Sequence, residues 1–189
     1  RGAEDEPSLP DLLAGPSGVR VATMCTNCNV ASVSMFGQSG DRVQVWQDGL
    51  PVMGGLGAIY LLSVVPSGAI VKTDVVRGSG TVLTGSEAGV GAMQLQTRMP
   101  KEKPYLSISG DAGSLDWRSL KFLGAARWGR LGGQVALTKS SSGPSDPNKD
   151  GVNDLAAFKR HTVAGTVSWQ LGKGSYLRFD ALDYEEDQE

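Results

Sequence analysis

Val43-Gln44-Val45-Trp46-Gln47-Asp48-Gly49 opens the stretch on which the fold turns, and Val75-Val76-Arg77-Gly78 carries it forward. Gly85-Ser86-Glu87-Ala88-Gly89-Val90-Gly91-Ala92-Met93-Gln94-Leu95-Gln96-Thr97 closes it. Apolar and polar residues alternate with the period of two that puts successive side chains on opposite faces of a strand. The Asp48-Gly49 pair supplies the positive backbone angles that a tight two-residue hairpin requires. Glycine recurs where one strand must hand over to the next.

Outward from this stretch, the composition narrows the class. The chain has 189 residues, enough for one ordinary domain or two small ones. Its 18 basic and 20 acidic side chains nearly cancel and form no basic cluster, which argues against nucleic acid as the main partner. The 26 glycines follow no fixed period, so they indicate neither collagen nor a linker but a turn-rich, β-rich protein. No apolar run approaches the roughly 20 residues of a membrane helix. Any passage through a bilayer must therefore use strands, the other structure that satisfies its own backbone in lipid.

Before Val43, Arg1 to Pro7 reads as a charged lead-in and Ser8-Leu9-Pro10-Asp11-Leu12-Leu13 as a short helix capped by Ser8. Strands follow at Val19 to Val21 and Val33 to Gly37, the second joined through Gly40-Asp41 to the strand at Val43. Leu56 to Val65 reads as a helix and Ala69 to Val76 as a strand. In order and spacing, these pieces resemble the plug domain of TonB-dependent outer-membrane receptors. The residues carrying the resemblance are Asp48, Gly49, Arg77, Gly78, Gly85, Ser86 and Gly91, together with the Ser8-Leu9…Leu12-Leu13…Pro16…Gly18-Val19 pattern. This chain departs from the family's habit at four places. Phe36 and Thr84 stand where Arg and Tyr are common, Gln94 where Asn is common, and no Pro follows Arg77-Gly78.

From Lys101 onward the texture changes to strands of roughly transmembrane length, about 9–11 residues. Leu120, Phe122, Gly124, Ala126 and Trp128 share one face, against Lys121, Leu123, Ala125 and Arg127. Val163, Gly165, Val167, Trp169 and Leu171 repeat the pattern against Ala164, Thr166, Ser168 and Gln170. Pro104 to Ala112, Gln134 to Lys139 and Ser175 to Tyr184 add three strands. Trp128 and Trp169 each precede a tight glycine turn, as in an interfacial aromatic girdle. Two structures fit this alternation: a barrel wall with a lipid face and a wet lumen, or a soluble sandwich with its Trp residues in a core. The upstream resemblance favours the barrel. The expected fold is therefore mixed: a small α+β plug domain over 1–99, then the antiparallel strands of an incomplete transmembrane β-barrel over 100–189. Five strands cannot close a barrel that needs at least about 8, and the charged run Asp183 to Glu189 reads as no finished barrel end, so the chain is expected to be an internal piece.

Two segments carry possible chemistry. Cys25-Thr26-Asn27-Cys28 has the spacing of a disulfide, a redox pair or half a metal site; Asn29 excludes haem attachment, which requires His there. Certain receptors of the family place such a pair before this plug strand, and in the oxidising periplasm the expectation is a bond between Cys25 and Cys28. Asp146-Pro147-Asn148-Lys149-Asp150-Gly151-Val152-Asn153-Asp154 copies the first half of an EF-hand calcium loop. Asp146, Asn148, Asp150, Val152 and Asp154 would be its ligands for Ca²⁺. Ala157 at the twelfth position excludes a complete EF-hand, and a solvated turn has the same composition. His161 stands alone at a loop–strand boundary, and no catalytic arrangement emerges, so no enzyme is expected.

The resemblance implies a receptor in the outer membrane, embedded in its lipid. It would bind a scarce small-molecule ligand (an iron-siderophore, cobalamin, another metal chelate or a glycan) and import it when TonB, driven by its inner-membrane complex, pulls on the plug. The competing expectation is a secreted or periplasmic β-rich calcium-binding or adhesive module.

Overall fold

The computed structural model describes residues 18–25, 30–38, 43–51, 64–78, 90–146, 148–172 and 174–188. The chain divides into two compact units, one ending at Thr97 and the other beginning at Arg98.

In the first unit, β1 (Val19–Cys25) and β2 (Val30–Met35) form an antiparallel pair. A four-stranded sheet contains β3 (Val43–Gln47), β4 (Leu50–Pro51), β5 (Ile70–Arg77) and β6 (Gly91–Thr97), in the order β4-β3-β6-β5. β3 and β6 run parallel, with Val43 opposite Gly91 and Gln47 opposite Leu95. Parallel neighbours need a long crossover, which is why the two halves of the opening stretch lie far apart in sequence and side by side in space. Val33, Met35, Val43, Val65, Met93 and Leu95 make the core. β2 pairs with β1, and Val33 and Met35 join residues of β3 and β6 in the core. The expected helix at Ser8 to Leu13 and most of that at Leu56 to Val65 lie outside the described residues. Among these, a 3-10 turn at Ser67–Ala69 leads into β5.

The second unit is one antiparallel meander: β7 (Tyr105–Ala112), β8 (Arg118–Trp128), β9 (Leu131–Ser142), β10 (Phe158–Gly172) and β11 (Ser175–Gln188). β9, β10 and β11 are longer than their sequence pattern suggests. The charged run at the end of β11 continues as strand because Arg160 bonds Glu186 at 2.6 Å across the β10–β11 pair.

Register aligns the faces. Opposed residues of antiparallel strands point the same way, so each cross-strand row is uniform in direction. Ile108, Phe122, Leu137 and Val163 form one row; Leu106, Gly124, Val135 and Gly165 the next; Trp128, Leu131, Trp169 and Leu177 the last. This apolar face is exposed: Trp128 to 70%, Ile108 to 68% and Trp169 to 55%. The opposite face carries Ser119, Gln134, Thr162, Thr166 and Ser168, all buried. A water-soluble domain does the reverse, so the soluble sandwich with Trp128 and Trp169 in a dry core is not what forms. From Leu120 to Trp128 the apolar face runs roughly 26 Å along the strand, or roughly 20 Å of depth at a tilt of about 40°, close to the apolar band of a membrane barrel.

Val135→Arg in the protein folded into lipid vesicles is expected to lose about 2–4 kcal/mol in a urea titration, while Lys139→Arg stays within about 0.5 kcal/mol. Equal stability of the two variants would place this face in water.

Candidate functional site

The first unit ends on a latch. Asp48 (φ 51°) and Gly49 (φ 85°) make the turn between β3 and β4, a left-handed pair that suits Asp followed by Gly. The turn aims the Asp48 carboxylate at the last residue of β6. Thr97 donates its backbone N–H to Oδ1 at 2.7 Å and its hydroxyl to Oδ2 at 2.5 Å. The Asp48 N–H donates to the carbonyl of Leu95 at 2.9 Å. Three hydrogen bonds thus hold the exit of the first unit, one residue before the second begins. Sequence pattern identifies Asp48 as a turn former, but Thr97, 49 residues away, carries no local sign of the pairing.

Gly91 marks the entry of the same strand. A Cβ there would come within 2.6 Å of the Val76 carbonyl and 3.0 Å of the Met35 sulfur, so only glycine admits the close approach of β5. Arg77 sits opposite Gly91 at the end of β5, and Gly78 (φ 97°) turns the chain away, donating its N–H to the Val90 carbonyl at 2.9 Å. Gly85 and Ser86 lie outside the described residues. So does Cys28, and of Cys25 only the backbone, at the end of β1, is described; the expected disulfide is not among the described contacts.

The polar face of the second unit carries several charge pairs. Lys121 meets Asp111 at 3.1 Å, Arg127 meets Glu102 at 2.8 Å, and Arg178 meets Asp180 at 2.7 Å. Thr166 donates to the Asp180 carboxylate. Arg160 bonds Glu186, lies 4.6 Å over the Phe158 ring and 5.9 Å from the Tyr184 ring, and shares Glu186 with the Tyr184 hydroxyl. Period-two alternation identifies this face as polar, but not that Lys121 pairs with Asp111 and Arg160 with Glu186 across strands. Such a wall suits a wet interior.

The 146–154 loop folds on its own backbone. Asp146 accepts from the N–H groups of Asp150 at 3.2 Å and Gly151 at 3.0 Å, and Asp150 accepts from Val152 N–H at 2.8 Å. The Asn148 amide donates to the Asp150 carboxylate at 2.9 Å. Asp154 gives its N–H to the Ser145 carbonyl at 2.7 Å, closing the loop's base. Among the described residues no three acidic, His or Cys side chains gather as metal ligands. The loop is a set of Asx turns, the behaviour that its Asp, Asn and Gly content also favours. His161 lies within β10 and meets Glu185 at 2.9 Å.

A small mixed sheet ending in a latch, followed by consecutive antiparallel strands with an apolar outer and a polar inner face, defines the class of plugged outer-membrane β-barrel proteins. Comparison with known proteins gives the family. Residues 3–92 match the TonB-dependent Receptor Plug Domain. The vitamin B12 transporter BtuB of Vibrio cholerae serotype O1 is 30% identical over 149 residues, covering 78% of this chain and 24% of the transporter. The structure of copper transporter OprC superposes with a TM-score of 0.76 at 17% identity, over 96% of this chain and 29% of that one. The siderophore receptor PirA from Acinetobacter baumannii gives 0.75 at 15% identity, over 98% and 30%. The chain belongs to the TonB-dependent receptor family and is an outer-membrane protein. It spans about a quarter of the length of the first of these relatives, all of which are named as transporters or receptors rather than enzymes.

Asp48→Ala is expected to cost about 1–3 kcal/mol and to speed hydrogen exchange at the Thr97 amide, since it strips a partly buried donor of its acceptor. Gly91→Ala should cost a similar amount by overpacking against backbone that cannot retreat, about 1–3 kcal/mol by chemical denaturation. A neutral Gly91→Ala would show that β5 and β6 sit farther apart than described.

Proposed function

We propose that this chain supplies the plug (1–99) and the first wall strands (100–189) of a receptor that captures a scarce small molecule outside the cell and imports it on energisation by TonB. The observation carrying this is the inverted sheet of the second unit: apolar rows exposed, charge pairs covered, directly following a plug-family sequence. In this reading the wall satisfies its backbone in lipid through strand pairing, and further strands continue from the free edges of β7 and β11. The plug blocks the lumen until force from the periplasm rearranges it, an order-changing switch. The latch of Asp48 on Thr97 stands at the junction that such a rearrangement would have to leave anchored. With the plug entering from the periplasm, the β7–β8 turn and the 143–157 connection face outward, and the short turns after Trp128 and Gly172 face the periplasm.

The relatives' names point to metal chelates as the ligand class, and cobalamin is the first compound to test, because the curated relatives are named for vitamin B12. The polar ladder headed by Arg160 fits a route for a large hydrophilic solute.

The test uses cells expressing the full-length receptor and labelled cobalamin. Surface binding is expected with or without TonB, while accumulation falls at least about tenfold when TonB is absent, because binding needs no energy and plug opening does. Undiminished accumulation without TonB would sink the energised mechanism; absence of surface binding would exclude cobalamin and pass the test to other chelates.

A further inference from the structure

Immediately after the Asp48–Thr97 latch the chain runs onto the polar face of the second unit's sheet. Arg127, Gly132, Ser168 and Arg178 form one row there, in register across β8, β9, β10 and β11. Three members of that row hold the linker 98–104. Pro100 lies buried against Gly132, Arg178 donates from Nη1 to the Met99 sulfur at 3.9 Å, and Arg127 meets Glu102 at 2.8 Å. The Arg98 guanidinium stacks 4.2 Å over the Tyr105 ring, closing the linker on the strand it feeds.

The seat for Pro100 depends on a missing side chain. A Cβ at position 132 would stand 3.0 Å from the Pro100 Cβ and 2.6 Å from the Ser168 hydroxyl. Gly132 lies within regular strand without a positive φ, so glycine serves here for space rather than for backbone freedom. Proline suits the buried crossing because it brings no N–H that would need a partner. Beside it the β7–β8 ladder ends with Tyr105 opposite Ala125. Two residues farther along β8, the Arg127 N–H donates to the Lys101 carbonyl at 2.9 Å, so the linker takes the place of a strand for one bond.

These contacts stand between the first unit and the first paired residue of the wall. Tension on an unseated linker would act at Tyr105 and open the β7–β8 ladder from its end, one pair at a time. That is the weakest way to load a sheet, because each bond bears the whole force in turn. A seated linker meets the same tension with Pro100 in its pocket, the Lys101 carbonyl on β8 and the Arg127–Glu102 pair together. The load is then shared among strands before it reaches Tyr105. Glu102 is 76% exposed, so the ion pair is the minor element and the packing of Pro100 the major one.

From this geometry we infer that residues 98–102 are a force stop: a seated strap that ends the pulled rearrangement of the plug at Thr97 and keeps β7 in the wall. The inference rests on the reading above that TonB pulls on the plug. The strap stays on its row while the chain before Thr97 changes shape, with Pro100 and Gly132 as its positioning residues.

The full-length receptor in lipid vesicles is pulled by the start of its plug in a force microscope. Wild-type extension is expected to stop at Thr97 until the wall itself gives way. In the double variant G132A/E102Q the linker and β7 should come free at lower force, adding residues 98–112, about 50 Å of chain at roughly 3.4 Å per residue. P100G empties the seat without crowding it and is expected to act in the same direction. Heat-modifiable mobility on gels checks that each variant is folded. A lysine-specific protease gives a second readout without force, because Lys101 is exposed while its carbonyl is held. Cleavage after Lys101 is expected to be at least about fivefold faster in the folded variants than in wild type. Wild-type extension that runs past Thr97 at the plug's own unfolding force would overturn the inference. Folded variants that stop where wild type does, or that are cleaved at the wild-type rate, would overturn it too. Because the instrument supplies the force, a receptor whose uptake needs no TonB would still show the stop, and only the energised reading beneath it would fall.

Discussion

One constraint governs a strand-built membrane wall: in hydrocarbon, no backbone N–H or C=O can be left unpaired. The antiparallel sheet of the second unit pairs β8, β9 and β10 on both edges, and pairing fixes register. Register then decides which side chains share a face. Because Leu137 stands opposite both Phe122 and Val163, and Val135 opposite both Gly124 and Gly165, the apolar residues of three strands fall into common rows. A slip of one residue on β9 would send Leu131, Val135 and Leu137 to the side holding Gln134 and Thr138. The membrane surface, the polar interior and the seat of Pro100 all depend on that alignment.

The two units solve opposite problems. The first buries Met35, Met93 and Leu95 completely, as a protein in water must. The second covers its polar residues and pairs their charges, Lys121 with Asp111 and Arg160 with Glu186. Exposed ion pairs contribute little stability in water, but on a covered face an unpaired charge is costly, so pairing there is a condition for folding. The change of rule falls at Thr97, where the Asp48 carboxylate ties off the water-soluble unit before the strands begin.

Some expectations met the structure through a different physical cause. The 146–154 segment has oxygen side chains at alternate positions, as a calcium loop does, and those oxygens also accept from neighbouring N–H groups. Asp and Asn bond their own backbone as readily as they hold a cation, and composition alone does not choose between the two. The expected last strand stops at Tyr184, inside the charged run Asp183 to Glu189. The run remains in the sheet because Arg160 neutralises Glu186 and His161 faces Glu185, partners on another strand that no local window contains.

Alternation along Leu120 to Trp128 and Val163 to Leu171, the Asp48-Gly49 turn and the glycine placement were written in the sequence, since periods of two and positive backbone angles are properties of neighbouring residues. They determined a strand-built protein with a plug-like beginning and a two-faced end. The tertiary structure decided what depends on residues far apart in the chain. It joined Asp48 to Thr97, set the parallel partnership of β3 with β6, and turned the Trp128 face outward rather than into a core. It also brought Arg127, Gly132, Ser168 and Arg178 into one row. The physical reason is that local sequence specifies the conformation of a strand, whereas its neighbours, and hence its environment, are set by pairing across distances that only the folded chain brings together.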